Sequence, residues 1–301
     1  MDEKLQGWIN LYKPKGISSF SAIYKIKKKY NIKKIGHAGT LDPEAEGILP
    51  IAINKTTKLI PFVNVSSKKY LFKIKWGEQT STDDSEGEII KRSKKIPEDK
   101  EIKQILKNTI GIFLQTPPKA SAVKIDGERA YKLFRKKINF EVKKKFVNLL
   151  DSKLIGNSNK NISKISIRCG PGFYVRSYAR DLGDKLDSSA HIFSLKRTKV
   201  GKFLINNSIL LDDLLKIGEM TSAIKGFHSS ISMLDDILAF EIDEEIVKDV
   251  SKGRDIEIER IKNFNDFNYL KKNFYFLTNN NSLVSLGIIE GKYFKPRKVF
   301  L

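Results

Sequence analysis

The chain has 301 residues, 40% of them hydrophobic, which is enough for a packed core and for two domains and excludes a disordered tail. Its 56 Lys and Arg against 35 Asp and Glu leave a net charge of +21, which points to a polyanionic partner, nucleic acid first. A single cysteine, Cys169, excludes an intrachain disulfide, and with only three histidines no Cys/His metal cluster can form. The charge is uneven: residues 236–301 carry 11 basic and 11 acidic residues, so the whole +21 lies in residues 1–235. That asymmetry predicts a basic nucleic-acid-binding body followed by a neutral segment. Met1-Asp2-Glu3-Lys4 lacks the basic-then-apolar pattern of a signal peptide, and no apolar run approaches ~18 residues, so a cytoplasmic protein without membrane contact is expected.

In chain order, Trp8–Tyr12 reads as a strand ended by the turn Lys13-Pro14-Lys15-Gly16. Ser18 or Ser19 caps a helix with Ala22, Ile23, Ile26 and Tyr30 on one face and Lys25, Lys27, Lys28 and Lys29 on the other. Gly36-His37-Ala38-Gly39-Thr40-Leu41-Asp42-Pro43 reads as a tight loop, because two glycines fall within four residues and Pro43 pushes Asp42 out of the helical region. Ile51–Ile53 is a short strand. From Tyr70 to Trp76 the pattern alternates, placing Tyr70, Phe72, Ile74 and Trp76 on one face. Tyr70 stands at the start of that strand, where its ring is expected to project past the sheet edge. Thr80–Gly87 is a polar turn with a structural role, and residues 101–110 form an amphipathic helix through Ile102, Ile105 and Leu106.

The densest basic region follows at Lys132, Arg135, Lys136, Lys137 and Lys143–Lys145, with Tyr131, Phe134 and Phe140 available to anchor it and leave the cations for phosphates. Gly156–Asn161 is a loop by composition, and Ile165–Cys169 a strand broken at Gly170-Pro171-Gly172. A helix then carries Val175, Tyr178, Ala179, Leu182 and Leu186 on its buried stripe, with Arg176 and Arg180 neighbours one turn apart. Ser229–Leu234 reads as a linker, and the last segment as short strands.

Several of these strings together resemble the TruB family of tRNA pseudouridine synthases, in its stand-alone bacterial type. They are Gly36–Pro43 running on through Glu44-Ala45-Glu46-Gly47-Ile48-Leu49-Pro50, Lys13-Pro14-x-Gly16, Gln115-Thr116-Pro117-Pro118 to Gly127, and Cys169–Ser177. The resemblance implies an α+β fold: a catalytic domain on a mixed, mostly antiparallel sheet with flanking helices over residues 1–230, and a small PUA-like β domain over 235–301. It implies isomerisation of uridine-55 in the TΨC stem-loop of tRNA by base flipping, with no metal, no cofactor and no guide RNA, by a monomer. It casts Asp42 as the catalytic carboxylate, Arg176 as its guanidinium partner and Tyr70 as the ring over the target base, with a hydroxyl placed to assist loss of the C5 proton. His37, Tyr174 and Leu195 become substrate-binding residues, though for Leu195 an ordinary core role is equally consistent with its surroundings. His191 is expected to be structural.

Overall fold

The structure, a computed structural model, describes residues 5–64, 66–234, 238–261, 274–280 and 282–301. Its frame is an 11-stranded sheet whose main path runs Ile209–Leu210, Gly7–Lys13, Ala45–Ile53, Ala190–Val200, Lys68–Trp76, Ile162–Cys169, Lys145–Asn159 and Gly111–Gln115. Two junctions on this path are parallel, Gly7–Lys13 with Ile209–Leu210 and Ala45–Ile53 with Ala190–Val200, and the others are antiparallel, which is the mixed α+β architecture expected.

Three apolar clusters pack on this frame, and two of them flank the site. One lies under the strands Lys68–Trp76 and Ile162–Cys169, closed by the helices Asp99–Asn108 and Val175–Lys185. Phe72, Ile74 and Trp76 are each buried there, worth about 1.5–3 kcal/mol apiece. The other lies under Gly7–Lys13 and Ala45–Ile53, closed by the helix Ser19–Tyr30 through Ala22, Ile26 and Tyr30. Ser18 caps that helix by accepting the Ser21 N–H at 3.0 Å, and Lys25, Lys27, Lys28 and Lys29 are exposed, as the periodicity predicts. Tyr131, Phe134 and Phe140 are half-buried among exposed cations, outside the core clusters.

Three expectations change. Most of Gly156–Asn161 is not a loop: the strand Lys145–Asn159 takes in Gly156, Asn157 and Asn159 in irregular pairing with Ile162–Cys169, and only Lys160-Asn161 turns. Gly36 and His37 are not in the loop either, because they pair as a short strand with Ala52 and Ile51. Ser229–Leu234 is no loose linker, since the Trp8 indole donates to the Ser230 carbonyl at 2.9 Å and Met233 and Leu234 are buried. The expected boundary runs on into residues 235–237, outside the described set. Beyond it a second, five-stranded sheet is ordered Leu238–Glu241, Tyr275–Asn279, Ser282–Glu290, Tyr293–Val299 and Ile256–Glu257. Among the described residues no helix is long and apolar enough to cross a membrane.

Candidate active site

Asp42 sits where the chain leaves its turn to enter the strand Ala45–Ile53, and its loop is held from three sides. Ser19 Oγ both donates to the Leu41 carbonyl at 2.8 Å and accepts from the Leu41 N–H at 2.9 Å, tying the loop to the first helix. The fully buried Lys13 ammonium donates to the carbonyls of Pro14, Ile17 and Pro43, and burial pushes its pKa down to about 8. From the far side the buried Arg197 guanidinium donates to the carbonyls of Gly39 at 2.8 Å, Thr40 at 3.3 Å and Ile48 at 2.7 Å. Gly47 makes this grip possible: at φ +110°, a Cβ there would lie 2.2 Å from the Arg197 carbonyl oxygen.

Arg176 projects from the first turn of the helix Val175–Lys185. Its Nε stands 3.0 Å from Asp42 Oδ2, and its Nη1 stands 3.3 Å from Asp84 Oδ2. The same guanidinium donates to the carbonyls of Thr82 and Ala120, both at 3.1 Å, so one buried cation bridges two carboxylates and two loops. The Asp42 side chain remains 38% exposed while that of Arg176 is 8% exposed, which leaves the carboxylate open to a ligand with its partner held behind it. One turn on, Arg180 pairs with Asp83 at 2.8 Å; burial still pushes Asp83 up to about 6.

Of the other expected residues, Leu195 lines the cleft with Asp42 and Arg176, and His37, Tyr70 and Tyr174 are not part of its lining. Tyr174 lies next to Arg176, its backbone fixed by the Gln115 amide, which accepts at 2.9 Å and donates at 3.1 Å; burial raises its phenol pKa. Leu195 lines the cleft over Asp42 together with Glu44, Asp84, Ser85, Arg176 and Ser194, and packs on both apolar clusters, so it has a core role at the edge of the cleft. His37 is partly buried, its Nδ1 lacks a hydrogen-bond partner, and burial with the nearby Arg197 charge lowers its pKa. His191 has the structural place expected, its Nδ1 2.8 Å from the Glu78 carbonyl.

Tyr70 corrects one expectation. Its strand is interior, flanked by Ala190–Val200 and Ile162–Cys169, so there is no edge for the ring to pass. The side chain is 7% exposed, stands across from Arg197 in register, and has its pKa raised chiefly by burial, against which Arg197 acts.

Two contributors escaped the sequence reading. Asp84 sits in a Thr/Asp-rich turn that looks like ordinary solvated hairpin chemistry, and nothing local marks it as a partner of Arg176. Arg197 is a lone cation in a strand, and bulges between Ile192 and Ser194 and between Arg197 and Lys199 shift the parity that would have pointed it inward.

Comparison with known proteins decides the family. Residues 27–175 match the TruB family pseudouridylate synthase N-terminal domain, a span that contains His37, Asp42, Tyr70 and Tyr174. The chain is 39% identical over 305 residues to tRNA pseudouridine synthase B of Ehrlichia ruminantium (strain Gardel), covering 98% of this chain and 99% of the relative. The chain belongs to the TruB family. A second family member, tRNA pseudouridine synthase B of Bartonella henselae, is 38% identical over 312 residues, 98% of this chain and 96% of that one. Among solved structures, the one titled a Cbf5-Nop10-Gar1 complex superposes with a TM-score of 0.75 at 24% identity, over 98% of this chain and 85% of that one, a shared fold.

Proposed function

We propose that this TruB-family chain isomerises uridine-55 in the TΨC stem-loop of tRNA to pseudouridine, as a monomer without guide RNA or cofactor. The relatives' shared name supports tRNA as substrate. The observation that carries the chemistry is the half-exposed Asp42 carboxylate with Arg176 Nε 3.0 Å behind it at the cleft floor. The target nucleotide leaves its stack, at a few kcal/mol, and enters the cleft. Asp42 supplies a fixed carboxylate while the C1′–N1 bond breaks and the freed base rotates. The C1′–C5 bond then forms, C5 loses its proton and N1 ends with one, so the net reaction is an isomerisation needing no second substrate. Tyr70, neutral at pH 7 as any ordinary phenol is and with its pKa raised further by burial, assists loss of the C5 proton, while Arg197 offsets the cost of any phenolate character. His37, Tyr174 and Leu195 bind the flipped nucleotide. Tyr70 does not line the cleft, whereas Leu195 does and packs against the cluster that holds Tyr70, so in this reading the base reaches the phenol by displacing Leu195.

Residues 1–230 form the catalytic domain in this reading, and residues 235–301 a PUA-like RNA-binding module whose balanced charge makes shape its main contribution. The test is Asp42→Asn on an unmodified tRNA transcript, with protein and RNA alone. We expect no pseudouridine with tRNA affinity retained; normal product formation would refute the assignment.

A further inference from the structure

The strand that points Tyr70, Phe72 and Ile74 into the core points Lys69 and Lys73 out of the opposite face. In register, Lys69 stands directly across from Arg168 on one neighbouring strand and from Lys199 on the other, and Lys73 directly across from Lys164. Lys153 continues the face one strand further, across from Ser166. Directly opposed residues on antiparallel strands share a face, and like charges in such pairs are destabilising. None of these six cations forms an ion pair among the described residues, although Asp151 stands in register with Arg168. Their neighbours Lys75 and Lys196 do have carboxylates, Glu78 at 2.7 Å and Glu46 at 2.8 Å. A face that served solubility alone would intersperse both signs in this way throughout.

The spacing suits a polyanion. Strands lie about 4.8 Å apart, so Arg168, Lys69 and Lys199 form a line about 10 Å long; Lys164 and Lys73 form a second line about 13 Å away, four residues along the strands. The face also connects to the active site: a groove lined by Lys73, Lys164 and Lys196 shares Glu44, Ser194 and Leu195 with the cleft over Asp42. We infer that this cationic sheet face holds sugar-phosphate backbone of the bound tRNA outside the stem-loop that enters the cleft. The inference rests on tRNA being the substrate. The like-charge pairs cost the free protein stability, and phosphates relieve that repulsion on binding, with release of counterions.

The test is the combined variant Lys69→Gln, Lys73→Gln, Lys164→Gln and Arg168→Gln, titrated against intact tRNA and against an isolated T stem-loop. With about 0.9 counterions released per phosphate contact, four lost contacts shrink the fall in tRNA affinity between about 50 and 200 mM salt by about 10²-fold. We expect that change, with at least about tenfold weaker tRNA binding near 100 mM salt and stem-loop affinity unaltered. Unchanged tRNA affinity would overturn the inference, and so would an equal loss on the isolated stem-loop. If the fourfold variant melts early, Lys69→Gln with Lys73→Gln reads the same slope with about a tenfold change. Binding is scored without turnover, so a parent protein that bound tRNA yet made no pseudouridine would count against the proposed function and leave this result readable.

Discussion

Replacing Arg176 with Lys keeps every charge and therefore separates field from geometry. The guanidinium reaches four acceptors in different directions: Asp42, Asp84 and the carbonyls of Thr82 and Ala120. An ammonium at the end of a flexible stem keeps some contact with a carboxylate but cannot span all four. Two lost bonds from a charged donor to the carbonyls cost about 1.5–3 kcal/mol each, about 3–6 kcal/mol together. At about 2–4 °C per kcal/mol for a protein of this size, melting should fall by at least roughly 6 °C. Asp42 meanwhile loses the fork that fixes it, and a misplacement of about 1 Å at a reacting group costs on the order of 10² in rate. In single-turnover assays well below the melting temperature, we expect pseudouridine formation to slow at least ~10²-fold. The concentration of tRNA giving half-maximal rate should stay close to that of the parent, because the long-range field is unchanged. A rate within about threefold of the parent, in a folded variant, would refute the claim that the fork's geometry matters.

Gly47→Ala forces a Cβ into the Arg197 backbone and an L residue into a positive φ, so unfolding free energy should drop by roughly 2–4 kcal/mol in urea titrations; an unchanged midpoint would remove the steric argument. Lys68 is buried and its pKa is pushed down to about 8 from 10.5, chiefly by burial. The folded state therefore gives up this proton before the unfolded chain does, and stability should rise as pH climbs from about 8 toward 10.5. Lys68→Met should lose part of that rise and keep the part due to Lys13, whose pKa is also pushed to about 8; denaturant titrations across this range measure both. His37, whose pKa burial and Arg197 lower from 6.5, is neutral at pH 7, so His37→Gln should slow the reaction without changing the shape of its pH–rate profile above pH 7. A limb lost from the profile would show that His37 titrates there.

Much of this was legible in the residues because local pattern and tertiary role agree. The alternation from Tyr70 to Trp76 survives as four buried side chains, and Arg176 falls at the head of a helix whose apolar stripe sets its direction. In the string from Gly36 to Pro50, Gly39 supplies the positive φ the loop needs, while Gly36 and Gly47 fall in strands. Legibility failed where a role depends on a distant partner. Asp84 matters because a helix entered 90 residues later turns Arg176 toward it. Arg197 matters because of bulges that no single-strand pattern reveals. Pattern alone misplaces Tyr70, because a strand's place within a sheet is set by which segments pair beside it, and Ile162–Cys169 arrives much later in the chain.

The two apolar clusters have one described residue in common, Leu195, and the strands that carry them meet through three paired positions, Leu195 with Ala45, Lys196 with Glu46 and Arg197 with Gly47. Behind them a third cluster joins the same strands, with Trp8, Ile48 and Ala52 from one side and Val200 and Phe203 from the other, so the join is narrow at the cleft and backed behind it. Asp42 and Arg176 stand on opposite banks of it. In the proposed reaction a nucleotide seated at that narrow mouth touches both banks while the cluster behind holds them in register, which makes the grip on the nucleotide and the alignment of the reacting groups a single event.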